Sequence, residues 1–366
     1  MPATLNDERA PRPRLGAVLI LAAAVLGGAL AAMTGCPKAA APRAAEQPPP
    51  VEIAADRSGV EGLPLDVRIF FRPLPDRMPG AQDDTPALVV LGRKLFFEKG
   101  ISLTKSQSCA DCHRLDEQGA GIDHVVTPKG VLGTPGKRNT PTVLNAGFQI
   151  AQFWDGRAAD LVEQAKLPLL SPSEMAMRTE ADVVNRIKEI PDYRRQFATA
   201  FPSQAQPVTF HNIALAIAAF ERTLVAPSRF DRYLSGQANA INDREKQGLR
   251  RFIDTGCVEC HSSYPVGGRL MRKMGVYHPY ANQNDLGRFE VTGLESDRLV
   301  FKVCMLRNVT LTPPYFSDGQ VSTLPEAVRQ MAWMQLDTNI EPREIDEIIR
   351  FLRTLEGERP VKIDSP

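Results

Sequence analysis

Histidine and tryptophan are scarce in this chain of 366 residues, with five His and two Trp. Each one that falls in a patterned position therefore carries weight. Cysteine is sparse too, at six, which is too few for a disulfide-stapled scaffold of this length. An excess of either charge is missing: 44 basic residues face 43 acidic ones, a formal charge of +1. No charged tail of the kind that binds nucleic acid is present. Period-two alternation of apolar and polar residues is short and scarce, which argues against a sheet-built fold.

A long apolar run does occur, at residues 15–33, preceded by Arg9, Arg12 and Arg14. This is the charged and apolar layout of an export signal, and its 19 residues would also span a bilayer. The run ends Met33-Thr34-Gly35-Cys36. That resembles a bacterial lipobox, with cleavage before Cys36 and lipid on its thiol. Residues 1–35 are expected as an export signal, lipoprotein signal or membrane anchor, and each version places the body in the periplasm. Residues 36–58 are Ala/Pro-rich, with Pro48-Pro49-Pro50, and are expected as a tether. Removing residues 1–35 takes away three Arg and two acids, which leaves the charges balanced.

Four of the six cysteines fall in one pattern. Cys109-Ala110-Asp111-Cys112-His113 and Cys257-Val258-Glu259-Cys260-His261 both read C-x-x-C-H, the attachment signature of a c-type haem. Two thiols at that spacing can add across the two vinyl groups of one haem. The adjacent histidine then lies under the iron as its proximal ligand. A zinc pair or a redox dithiol would leave the repeated histidine unexplained. In a chain of this composition one chance match is expected in roughly one case per thousand, and two in about one per million. The expectation is two covalently bound c-type haems, one in a domain over residues 59–235 and one in a domain over residues 236–366.

The helical signals frame both motifs. Residues 84–97 read as a helix capped by Asp84, with Leu88, Leu91 and Leu95 at helical spacing. Residues 242–255 repeat the design, with Leu249 and Phe252 apolar and Gly256 as the stop. Between the motifs, residues 157–167 read as a helix stopped by Pro168, and Thr179 with Asp182 opens another as a capping box. Residues 210–223 carry a nearly continuous apolar stripe. Residues 325–336 and 342–355 read as closing helices, each opened by proline. Residues 59–82, rich in Pro and Gly, read as coil on the first domain. The fold class expected is mainly α, as two tandem class I cytochrome c-like domains.

Further stretches carry a resemblance. Arg138-Asn139-Thr140-Pro141-Thr142, Phe153-Trp154-Asp155-Gly156-Arg157, Gln164, Pro168 and Glu174-Met175 resemble the bacterial di-haem cytochrome c peroxidase family. Its relative, the methylamine dehydrogenase maturation enzyme, shares much of the pattern. Leu306-Arg307-Asn308-Val309 and Thr312-Pro313-Pro314-Tyr315-Phe316 extend the match to about residue 360. The resemblance implies reduction of hydrogen peroxide with electrons from a small periplasmic donor, a monohaem cytochrome c or a small copper protein (cupredoxin), and leaves room for a homodimer. It implies His113 as proximal ligand of the peroxide-reacting haem, Glu174 as distal acid/base with Gln164 beside it, and Trp154 on the electron path. It gives His261 and Met331 to the second haem, and Asn139, Thr312 and Pro314 to a calcium ion.

Read without the resemblance, these residues are bland. Glu174 beside Ser171-Pro172-Ser173 is a surface acid near a turn, Trp154 is core, and Met331 and Met334 are core filler on one helix. The chain also departs from the family. Many members carry a distal histidine on the first haem, and the aligned place here is Val131, with His124 seven residues earlier. The expectation is a first haem without a distal histidine. Cys304 stands where the family commonly has proline and is expected as a buried free thiol. His278 is expected near the second haem. The rival readings are oxidation of a protein or organic substrate, as in the maturation enzyme, and a non-catalytic electron carrier. A carrier has no need for a distal carboxyl.

Overall fold

Thr85 starts the first long helix. Its hydroxyl accepts the Leu88 amide at 3.2 Å, and Pro86 occupies the first turn, where its missing N–H costs nothing. The cap expected at Asp84 lies one residue on, because the Asp84 carboxylate is taken by Arg222 through two bonds of 2.6 Å. The computed structural model describes residues 63–116 and 120–358, so the export-signal stretch, Cys36 and the whole tether lie outside the described residues. The helices are α1 Leu65–Phe70, α2 Pro86–Phe96, α3 Cys109–Cys112, α4 Leu161–Leu170, α5 Glu180–Glu189, α6 Pro191–Ala200, α7 Phe210–Glu221, α8 Arg229–Leu234, α9 Asp243–Asp254, α10 Phe289–Thr292, α11 Leu324–Leu336 and α12 Pro342–Leu352. Among the described residues the one sheet has two strands, β1 Met271–Lys273 and β2 Val300–Lys302, antiparallel with Met271 opposite Lys302. The mainly α expectation holds at this level.

Two helix crossings organise the interior. α2 lies across α7, and Gly92 sits at the contact: a β-carbon there would be 1.7 Å from the Ala216 carbonyl oxygen. α9 lies across α12 in the same way, with Gly248 at the contact and the Glu347 oxygen 2.1 Å from a built β-carbon. Only glycine lets the backbones approach so closely. Around the first crossing Leu91, Leu95, Phe96, Ile213, Ile217 and Phe220 form one core. Around the second, Leu249, Phe252, Ile348, Phe351 and Leu352 form another.

The second core also draws on residues that precede position 236. Val67 and Phe71, in and just after α1, and Phe230 and Tyr233 of α8 are buried there. The Phe230 ring meets Phe71 at 5.3 Å and Phe351 at 5.1 Å, both edge-on. The stretch expected as coil on the first domain therefore supplies a helix to the other core. Beneath α8, the fully buried Arg307 guanidinium holds Asp231 through two bonds of 2.7 and 2.6 Å. Burial alone would raise the Asp231 carboxyl, but the charge and hydrogen bonds of Arg307 outweigh it and hold it below the usual range.

α4 runs to Leu170 with Pro168 inside it rather than stopping at the proline. The chain folds back over its end, so that the carbonyls of Leu167, Pro168 and Leu169 accept the amides of Ser171, Met175 and Met177. This return satisfies the open end of the helix. It also carries Glu174 back beside α4.

Candidate functional site

Ser108 caps the turn that holds the first motif, and its amide and hydroxyl both bond Asp111 Oδ2 at 2.7 Å. Within the turn the His113 amide donates to the Cys109 carbonyl at 2.8 Å. His113 Nδ1 lies 3.2 Å from the Gly121 carbonyl oxygen. Burial lowers the His113 pKa, partly opposed by that carbonyl. A neutral ring with Nδ1–H tied to a carbonyl leaves Nε2 as the lone-pair nitrogen, the usual state of a metal-ligating histidine.

Gly256, at φ +90°, turns the chain out of α9 and into the second motif. The His261 amide donates to Cys257 O at 2.9 Å. Burial pushes the His261 imidazole down to about 4, and the Val266 and Cys304 carbonyls oppose it. Nδ1 is buried against those carbonyls without a well-formed hydrogen bond. Gly267, at φ +115°, lets this backbone close on the ring, since a β-carbon there would lie 2.9 Å from His261 Nδ1. All five described cysteines are free thiols. Burial pushes Cys112 and Cys257 up to about 12 and Cys109 higher still. Thiols held protonated are poor redox or zinc thiolates.

Each motif opens into a cavity. The first has about 1750 Å³ of empty space and is lined by Cys109, Cys112, His113, Gln164, Glu174 and Trp154, among others. The second, about 1260 Å³, is lined by Cys257, Cys260, His261, Met331 and Trp154 within largely apolar walls. Paired thiols beside a buried neutral imidazole, at the wall of a large cavity, fit a covalent haem in each. Met331 faces the second cavity, while Met334 of the same helix is buried outside its lining.

Glu174 is raised above the ordinary carboxyl range by burial, with Arg157 pulling the other way. Arg157 itself is held by Asp155 at 2.9 Å and stacks over the Phe153 ring at 3.5 Å. Sequence reasoning passed over Arg157, although it closes the Trp-Asp-Gly-Arg run. It also passed over Glu221, a buried acid of the first cavity hidden in the apolar stripe of α7. Trp154 borders both large cavities and is fixed at both ends. Its Nε1 donates to Asn139 O at 2.9 Å, and its carbonyl accepts the Lys302 amide at 2.7 Å.

Asn139, Thr312 and Pro314 line a third cavity of about 680 Å³, which Trp154 also borders. Asn139 Nδ2 donates to Val125 O at 2.8 Å, which leaves Oδ1 as its acceptor atom. An amide oxygen with neighbouring backbone carbonyls is the hard donor type that calcium takes. No cluster of three or more His, Cys, Asp or Glu suited to a metal occurs among the described residues, so these neutral oxygens would carry the ion.

Val131 and His124 do not line the first cavity. The Val131 amide donates to Glu174 O at 2.8 Å, and Gly130 packs on the Ser173–Glu174 backbone so tightly that a β-carbon would lie 2.3 Å from Ser173 C. His124 Nδ1 lies 3.1 Å from Pro313 O. His278, expected near the second haem, instead stacks on Trp333 at 3.5 Å and bonds Asp337 at 2.6 Å, outside that cavity's lining. Cys304 does line the second cavity, and burial pushes its thiol up to about 11.

Comparison with known proteins follows the same lines. A family model described as di-haem cytochrome c peroxidase matches residues 86–239. The chain is similar to the cytochrome c551 peroxidase of Nitrosomonas europaea, with 45% identity over 273 residues, 74% of this chain and 80% of that one. It is 42% identical over 304 residues to the cytochrome c551 peroxidase of Pseudomonas aeruginosa, covering 81% and 87%. Among solved structures, a MauG-like protein associated with microbial copper homeostasis aligns with a TM-score of 0.67 at 27% identity, over 83% of this chain and 97% of that one.

Proposed function

This chain belongs to the di-haem cytochrome c peroxidase family, and we propose that it reduces hydrogen peroxide to water with two electrons from a small redox protein. The observation that carries the reading is Glu174, a carboxyl raised by burial that shares a cavity with Cys109, Cys112, His113 and Gln164. A passive electron carrier has no use for such a group.

Haem held by Cys109, Cys112 and His113 would supply the iron on which peroxide is reduced, and haem held by Cys257, Cys260, His261 and Met331 the iron through which electrons arrive. The protein's own part is proton handling and placement. The Glu174 carboxylate takes the proton from one peroxide oxygen and returns it to the other, so that the second departs as water. Burial raises its affinity for that proton, which suits both halves of the transfer. Gln164, one turn before Pro168 on α4, offers an amide to the same space. Trp154 stands in the wall common to both cavities; its Nε1 bond to the Asn139 carbonyl orients the indole, and the Lys302 amide on its own carbonyl fixes the backbone that carries it.

The finer assignments rest on the same residues. Asn139, Thr312 and Pro314 would hold calcium where the two halves meet. The halves are read as tandem haem domains, each built on a glycine-centred helix crossing. The N-terminal sequence supports export to the periplasm, with Cys36 as a lipid attachment point. A monohaem cytochrome c or a cupredoxin is the donor.

The test is a steady-state assay of haem-loaded protein with hydrogen peroxide and reduced monohaem cytochrome c or cupredoxin. Peroxide-dependent oxidation of the donor, well above the rate without enzyme, is expected. A fully loaded protein that oxidises neither donor would overturn the reading.

A further inference from the structure

Glu221 ends α7 and lines the first cavity. Only 5% of it is exposed, and its Oε2 has no hydrogen-bond partner. The cation beside it, Arg222, spends its guanidinium on Asp84. An ionised carboxylate so placed is costly, and burial pushes Glu221 up to about 8, with Arg222 opposing. Glu221 also bears on Cys109, whose thiol feels its charge and more weakly that of Glu174. The other ionisable groups round the cavity are His113 and, near the mouth, Lys137 with Glu290 and the mutually paired Arg138, Asp155 and Arg157. α4, packed on α7, presents Leu161, Gln164, Ala165, Pro168 and Leu169 to this space and no charge. α2 and α5, the other helices packed on α7, contribute nothing to the lining.

We propose that Glu221 is a proton-binding site coupled to the electron at the first haem: when that haem takes one electron from the donor, one proton moves from solvent onto the Glu221 carboxylate, and both leave together. The reason is electrostatic. The net positive charge of a ferric haem in a low-dielectric cavity would keep a nearby carboxylate ionised. An added electron cancels that charge and restores the raised proton affinity, and protonation in turn favours the electron. Glu174 relays a proton already on peroxide. Reduction to two waters consumes two more, and Glu221 brings the first of these into the protein together with the electron. The proposal rests on the first cavity holding the haem of Cys109 and Cys112. Failure of that premise would show as a missing haem spectrum rather than an altered potential.

The experiment is a spectroelectrochemical titration of the holoenzyme and of Glu221→Gln across neutral and mildly alkaline pH. The first haem's potential should fall with rising pH in the unaltered protein. In the Gln variant that pH-dependent shift should be lost, because an amide binds no proton here. The same pH-dependent shift in both proteins, or none in the unaltered one, overturns the proposal. Should the variant fail to load haem, reduced-minus-oxidised infrared spectra of Glu174→Gln enzyme carrying ¹³C-labelled glutamate decide. A labelled carboxyl C=O band that grows on reduction supports the proposal, and its absence overturns it. Expression in a host that cannot make 5-aminolaevulinate and is fed the unlabelled compound keeps the haem propionates out of that band.

Discussion

The Trp154 indole donates to the Asn139 carbonyl at 2.9 Å, which ties the aromatic group between the two large cavities to a residue of the third. Orientation of the ring and integrity of the third cavity are therefore linked. Trp154→Phe keeps the bulk and loses the bond. Both haems should load, while turnover should fall by roughly ten- to a hundredfold, the scale of a small misplacement on a reaction path. Single-turnover kinetics should place the loss in transfer between the haems. Unchanged transfer in the Phe variant would remove the indole from the path. Calcium chelation should mimic the defect in the unaltered protein and add little to it in the variant.

Glu174→Gln should leave both haem spectra intact and cut peroxidase turnover by about a hundredfold or more. The pH profile of the unaltered enzyme adds a sign. Glu174 must be ionised to accept the peroxide proton, and burial raises its pKa. Activity should therefore fall on the acidic side through a midpoint above the ordinary carboxyl range. An acidic limb that survives in the Gln variant would have to be assigned to another group.

Met331 lines the second cavity and Met334 does not. Met331→His should lower the second haem's potential by hundreds of millivolts, within the roughly 0.8 V that axial ligands span, whereas Met334→Leu should leave it nearly unchanged. Redox titration of the two variants distinguishes them, and the reverse result would move the ligand to Met334.

His113 is the one imidazole that lines the first cavity among the described residues. The oxidised holoenzyme should therefore give a high-spin ferric signal in electron paramagnetic resonance, and that signal should vanish on mixing with peroxide without a prior electron. Two low-spin signals that persist until one electron is added would contradict this, and His124→Ala would then show whether His124 is responsible.

Gly92 and Gly248 stand where α2 meets α7 and α9 meets α12. A methyl group at either would have to displace the backbone of the facing helix. Gly92→Ala and Gly248→Ala should each destabilise the holoenzyme by about 1–3 kcal/mol or more, the cost of overpacking, despite alanine's better helix propensity. Denaturant midpoints of the two variants measure this, and a midpoint at or above that of the unaltered protein would mean that the helices can part without loss.

Much of the site was legible because its residues sit in short runs. Both haem motifs were read from the chain itself and Trp154, Gln164, Glu174 and Met331 through the family resemblance, and the structure gathers them round two cavities. Caps were legible where the partner lies within one turn, as with Thr179 and Asp182. They were misplaced where a distant partner intervenes: Asp84 pairs with Arg222, 138 residues away, and the cap passes to Thr85. Pro168 looked like a stop because no local pattern reveals that residues 171–177 return to satisfy the carbonyls beyond it. Glu221 was invisible for the opposite reason. A lone acid in an apolar stripe reads as tolerated noise until burial, a missing partner and a neighbouring thiol are seen together.

The placement of α1 and α8 bears on how such a protein can be taken apart or inherited. A cut between residues 235 and 236 separates the two haem motifs cleanly in sequence. It would also strip Val67, Phe71, Phe230 and Tyr233 from the second core and leave Arg307 buried without Asp231. An isolated buried charge and a missing wall of aromatic rings are each severe losses. Residues 236–366 expressed alone should therefore not hold a native haem pocket, although the same segment supplied together with residues 59–235 has the missing wall to dock against. A gene split at that point would meet the same loss unless both pieces were kept together.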